Sequence, residues 1–226
     1  MGLLFAAGCI GMLFTPVFHV AEIQLEGPER ILPEEILAAA GFAVGENIFS
    51  FSLKEAGEAL SKIPYVNSVR IERQLPSRLA IKITESIPMA YVPCMDFHLV
   101  IDKGGKALEP QTGDLLYSIP VLLDFPITEF DPGEKILIQE EEKFQKTLEI
   151  LRDLYNNNFI EEIQSITTKE ENIILTLSEQ LQIHMGDTEQ FNSKIVMVQE
   201  VLKRLPENTS GIIDAKNPNK VYTSSE

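Results

Sequence analysis

Residues 66–86, VNSVRIERQLPSRLAIKITES, constrain the fold more than any other stretch, because their side chains alternate. Val69, Ile71 and Leu75, then Leu79, Ile81 and Ile83, stand at odd positions, while Arg70, Glu72, Gln74, Arg78, Lys82 and Thr84 stand at even ones. A period of two marks strands with one buried face. Pro76-Ser77 interrupts the run, and proline brings a φ already set for a turn. Folded about that turn, the arms pair 69 with 83 and 71 with 81, which gathers the apolar residues on one face. A two-stranded ribbon is marginal alone in water, so other elements must cover that face.

The cover is legible upstream. Residues 20–26 read as a short strand that Gly27-Pro28 ends. Pro33 opens a helix, PEEILAAA, as proline in a first turn can. Glu34 and Glu35 complement its N-terminus, and Gly41 stops it. Ser52 with Glu55 three residues on forms a capping box for a second helix. Ala56, Leu60 and Ile63 are its apolar stripe, and Pro64 ends it. The order is β-α-α-β-β, with two helices able to lie on the hairpin.

The runs Ile23-Gln24-Leu25-Glu26-Gly27, Glu34-Glu35-Ile36, Gly45-Glu46-Asn47-Ile48-Phe49, Ile63-Pro64-Tyr65-Val66, Arg73-x-x-Pro76 and Glu85-x-x-Pro88-x-Ala90 follow one another in this order. Together they resemble a POTRA domain, and more narrowly that of the bacterial cell-division family called FtsQ, or DivIB in Gram-positive bacteria. The signature positions are Gly27, Pro64, Val66, Arg73, Pro76, Glu85 and Pro88. Pro28 and Ser86 depart from the pattern where Asn and a basic residue are common. The resemblance implies a POTRA domain over 22–92.

Residues 93–226 read as a mixed α/β domain. Residues 97–102 form a strand, Gly104-Gly105 a turn, and 119–123 a short buried strand. An amphipathic helix over 139–156 carries Phe144, Leu148, Leu151 and Tyr155 on one face. Strands are expected at 161–168, 172–177 and 180–185. A helix follows with Phe191, Ile195, Val198, Leu202 and Leu205 in steps of 4, 3, 4 and 3, capped by Asp187 with Gln190. Gly211-Ile212-Ile213-Asp214 and Lys220-Val221-Tyr222 close the chain as strand. This order resembles the β-domain after POTRA in FtsQ, most closely at Gly186, Lys194 and the GIID run. The whole is α+β, with a C-terminal edge strand.

Residues 2–21, GLLFAAGCIGMLFTPVFHVA, carry no Asp, Glu, Lys or Arg. Twenty residues at about 1.5 Å each span roughly the 30 Å hydrocarbon layer, so residues 1–21 read as a transmembrane anchor. A cleaved signal peptide and a lipoprotein signal ending at Cys9 are the alternatives. No basic residue precedes the run, which fits a natural chain that starts further upstream. The acidic flank Glu22, Glu26 and Glu29, with a large folded part after it, sets the C-terminal side outside.

The net charge of −15 repels nucleic acid and anionic membrane surfaces. The two cysteines, Cys9 and Cys94, form neither a zinc pattern nor an expected disulfide. His19, His98 and His184 are scattered. Glu140, Glu141 and Glu142 read as solvated acids at a helix start. No nucleophile–base motif stands out, so neither cofactor, metal nor catalysis is expected.

An anchored pair of small domains without chemistry is a connector, and strand addition is its physical means. The resemblance implies binding of FtsB/DivIC-like and FtsL-like coiled-coil membrane proteins through Ile212, Ile213, Asp214 and Ala215, with Val221 and Tyr222 secondary. It also implies recruitment of other divisome components through POTRA. It implies a single-pass cell-membrane protein at the division septum that helps assemble and control septal peptidoglycan synthesis. The competing reading is a POTRA-bearing export or chaperone component of the envelope.

Overall fold

In the computed structural model, which describes residues 15–169, 172–206, 209–217 and 220–224, Val69 faces Ile83 and Ile71 faces Ile81, as the alternation requires. The chain divides into two compact units between Ser86 and Ile87.

The first unit opens with a 3-10 turn, Pro16–Phe18. Strand β1 (Glu22–Glu26), helices α1 (Pro33–Ala40) and α2 (Leu53–Ser61), and strands β2 (Val66–Gln74) and β3 (Arg78–Glu85) follow. The sheet order is β1-β3-β2, with β1 parallel and β2 antiparallel to the central β3. Ile36 and Ala40 of α1 and Ala56 and Leu60 of α2 bury against Leu79, Ile81 and Ile83 of β3. The half of the hairpin on β2 is an edge, so Val69 and Ile71 are only partly buried. Leu75, at the turn, is 61% exposed. Ser52 does cap α2, accepting the Glu55 N–H at 3.3 Å.

The second unit begins with β4 (Pro88–Cys94), β5 (Phe97–Asp102) and β6 (Ala107–Gln111). Short strands β7 (Val121–Leu122), β8 (Ile127–Glu129) and β9 (Leu137–Ile138) precede helix α3 (Glu141–Asn156). Then come β10 (Ser165–Lys169), β11 (Asn172–Ser178), β12 (Leu181–Gly186), helix α4 (Phe191–Leu202), β13 (Gly211–Asn217) and β14 (Lys220–Ser224). Among the described residues, nine strands form one sheet in the order β14-β13-β12-β11-β10-β7-β4-β5-β6, with β8 and β9 as a separate ribbon. Phe144, Leu148 and Leu151 of α3 and Ile195 and Val198 of α4 share one apolar cluster with Val92, Leu99, Leu175, Ile183 and Ile213 of the sheet. Tyr155, expected on the buried face of α3, is exposed near its C-terminal end.

Two expected boundaries move. The first unit ends at Ser86, not at 92, because β4 pairs with β5 and β7 of the second unit. Burial of β4 is nearly continuous, so no change of side-chain pattern marks the crossing. At the other end Val20 is in the core of the first unit, and the Ala21 N–H donates to Ser77 O at 2.7 Å. The described residues of 15–21 therefore belong to that unit. Residues 1–14 of the expected anchor lie outside the described residues. No helix among the described residues is long and apolar enough to cross a membrane.

Candidate partner-binding site

Alternation along β13 decides what each of its side chains can do. Ile213 is 1% exposed and Ala215 is fully buried, both in the core, whereas Ile212 on the opposite face is 39% exposed. Asp214 is half-buried, and its Oδ1 accepts the Lys216 N–H at 3.1 Å. The backbone of this run is occupied on both sides. Ile212 and Ile213 pair with Gln182 and Ile183 of β12, and Ile213 and Asp214 pair with Thr223 and Tyr222 of β14. A strand cannot be added at the GIID run, as first expected, because the run is interior to the sheet. The outer strand is β14, which carries Val221 and Tyr222. Val221 and Tyr222, the secondary positions of the resemblance, are thus the ones on the outer strand.

Helix α4 packs under this end of the sheet and is fixed by an unusual lysine. Lys194 is 2% exposed, and its Nζ donates to Asp187 Oδ1 at 2.8 Å and to Asp187 O at 3.0 Å. The Lys194 ammonium, and then the Glu189 N–H, hold the Asp187 carboxyl below the usual carboxylate range. This corrects the expected cap. Gln190 sits at φ +52° and makes no capping bond, while Asp187 accepts from Glu189 N–H instead of capping the helix with Gln190. A buried ammonium needs a fixed acceptor, and that requirement outranks helix capping.

The signature residues of the first unit turn out to hold its loops. Gly27 has φ +98°, and a Cβ there would strike the Ile83 carbonyl. Glu85 Oε1 accepts the Glu29 and Arg30 N–H groups, each at 2.8 Å. Arg73 donates from Nε to Ile48 O at 2.7 Å and from Nη2 to Phe51 O at 2.8 Å. Its guanidinium also lies over the Phe49 and Phe51 rings. Pro64 follows α2, Val66 is buried, Pro76 opens the β2–β3 turn, and Pro88 starts β4 in the second unit. Gly27, Arg73 and Glu85 thus fix the loops around the first unit's sheet.

Among the described residues, concave regions lie in both units. A groove of about 630 Å³ runs between α2 and the edge strand β2, lined by Leu53, Gly57, Ser61, Val69 and Ile71 among others. A second, of about 900 Å³, lies at the start of α3. Two of its acids pair within α3's first turns: Glu140 with Lys143 and Glu142 with Lys146, both at 3.1 Å. No group of three or more His, Cys, Asp and Glu side chains among the described residues is placed to hold a metal ion.

The family model for the FtsQ-type POTRA domain matches residues 18–86, the extent of the first unit's described core. Over most of its length the chain is similar to curated cell-division proteins. The FtsQ of Corynebacterium glutamicum is 26% identical over 194 residues, covering 84% of this chain and 82% of the relative. The FtsQ of Syntrophotalea carbinolica is 28% identical over 225 residues, covering 95% and 76%. The DivIB of Clostridium tetani is 25% identical over 182 residues, covering 80% and 68%.

Proposed function

We propose that this chain, which matches the FtsQ-type POTRA family over residues 18–86 and is similar to FtsQ and DivIB proteins over most of its length, is a member of that cell-division family and a non-catalytic, membrane-anchored scaffold of the divisome. It binds FtsB/DivIC-like and FtsL-like proteins and helps assemble and control septal peptidoglycan synthesis. It sits in the cell membrane at the septum by its N-terminal segment, with both units outside the cytoplasm. The POTRA unit contributes contacts to further division proteins.

The observation that carries the reading is the edge strand β14. It is the last strand of the nine-stranded sheet. Its inner side pairs with β13, and no described element pairs with its outer side. An extended partner segment can continue the sheet there through main-chain hydrogen bonds. Ile212, exposed on β13, then lies across β14 from the added strand, about 10 Å away, where long partner side chains reach it, while Ile213 and Ala215 support the edge from the core.

The test is capture of partners from detergent-solubilised membranes by the full chain and by a chain ending at Asn217. This truncation removes β14 and leaves β13, whose Ile213 and Ala215 the core needs. The full chain is expected to retain small coiled-coil partners of the FtsB/DivIC and FtsL kind, and the truncated chain to lose them with its circular dichroism little changed. Equal capture by both chains would move the site elsewhere. Capture of neither partner by the full chain would overturn the scaffold reading.

A further inference from the structure

Besides Leu32 at the start of α1, four large apolar side chains among the first unit's described residues, Val17, Val44, Phe49 and Leu75, stand 61%, 62%, 41% and 61% open to solvent. The backbone brings these four to one end of the unit. The Gly45 N–H donates to Val20 O, and the Ile48 N–H to Phe18 O, each at 2.8 Å, tying the loop of Val44 and Phe49 to the entering chain. Phe18 packs on Phe49 with ring centroids 5.5 Å apart. Ala21 N–H on Ser77 O brings the β2–β3 turn, with Leu75, to the same end.

The sequence runs into this rim without a polar linker. Residues 2–14, GLLFAAGCIGMLF, hold no charged residue, and Thr15-Pro16 leads directly into the 3-10 turn. Three residues at about 3.6 Å each keep Val17 within roughly 11 Å of the end of that apolar run. The polar interfacial zone beside the hydrocarbon core is about 5–8 Å deep on each side. Apolar and aromatic side chains are favoured at that depth.

The charges near the rim do not oppose such contact. Arg73 is turned onto the Ile48 and Phe51 carbonyls, and Arg78 pairs with Glu22 at 3.2 Å. Glu46 is the acid beside Val44, which favours a zwitterionic over an anionic lipid surface.

We propose that Val17, Val44, Phe49 and Leu75 dock into the interfacial layer of the bilayer that holds the N-terminal segment. The inference rests on the membrane-anchor reading above. Several apolar contacts around one anchor hold the POTRA unit at a set tilt, where a single flexible attachment would let it swing.

The experiment uses the full chain with Cys9→Ser and Cys94→Ser, reconstituted in phosphatidylcholine vesicles. Single cysteines Val44→Cys, Leu75→Cys and Glu29→Cys carry an environment-sensitive fluorophore. Glu29 is the far reference. Its N–H is held by Glu85 at the other end of β3, roughly 25 Å away at about 3.3 Å per residue. Flotation is read first. In floating chains, the labels at 44 and 75 are expected to lose most of their emission to lipid-borne nitroxides and to resist iodide, and the label at 29 to do the reverse. Floating chains with 44 and 75 as open to iodide as 29 would overturn docking and leave the anchor intact. Labels shielded from both quenchers would mean protein covers the rim, residues 1–14 or a second copy, and would also overturn it. Chains that fail to float would overturn the anchor and the docking together.

Discussion

The two edges of the large sheet are built differently. At one edge, the first residues of β6 are covered. Ala107 donates its N–H to Glu134 O at 2.8 Å and its carbonyl accepts the Gly133 N–H at 2.9 Å, while Ile136 N–H reaches Gly105 O at 3.0 Å. Further along β6, Pro110 has no N–H to offer. At the other edge, β14 is a five-residue strand with no described strand paired to its outer side. Unpaired strand edges invite pairing, and proteins blunt the ones they do not use. The contrast points to the C-terminal edge as the one left open for a partner.

The largest expected effect comes from destroying the support of the open edge. Ile213→Asp places a carboxylate in the apolar cluster, and we expect a loss of about 4 kcal/mol or more, seen as a collapse of the urea midpoint and of partner capture together. The covered edge should be sensitive in a different way. Ile136, 2% exposed, anchors the covering strip, and Ile136→Ala should cost about 2–4 kcal/mol. Amide exchange at Ala107 and Gly133 should accelerate in that variant while β13 remains protected. Unchanged exchange there would break the comparison, since the strip would not be what closes the edge.

A smaller effect tests the helix beneath β13. Asp187→Asn leaves the Lys194 ammonium without its carboxylate. A fully buried pair broken this way costs several kcal/mol, but Asp187 is 56% exposed, so about 1–2 kcal/mol is expected at neutral pH. The folded-state carboxyl is held below its unfolded range. Its contribution is therefore complete above the ordinary carboxylate range and fades as pH falls through the lowered folded value. Urea titrations of the native chain and the variant should converge in acid; a gap that widened there would contradict the sign. The smallest stability effect belongs to Ile212→Asp on the exposed face, about 0.5 kcal/mol or less. Partner capture should fall in this variant while the denaturation curve stays in place, which separates binding at this edge from folding of it.

The hairpin was readable to the pairing of single residues, since a period of two and a proline turn are local facts. The helices were readable from Pro33, Ser52 and the steps along α4 for the same reason. The boundary at Ser86 was hidden because β4 carries no alternation across it. The role of Asp187 was hidden because its partner is a lysine seven residues on, buried by the sheet. The signature residues could be found by resemblance, but what they hold could not: Arg73 grips a loop 25 and 22 residues back, and Glu85 one 56 and 55 residues back.

What the sequence determined by itself is thus the inventory: two alternating arms, four helices with their stripes and stops, the apolar N-terminal run and an acidic surface. Side-chain periodicity and turn chemistry act over a few residues, so they can be read in one dimension. Only the tertiary structure decided which strand is the open edge, that Ile213 faces inward and Ile212 outward, and that Val44 and Leu75 share one rim. Strand order and burial come from hydrogen bonds and contacts between distant segments, and no local pattern encodes which partner each edge meets.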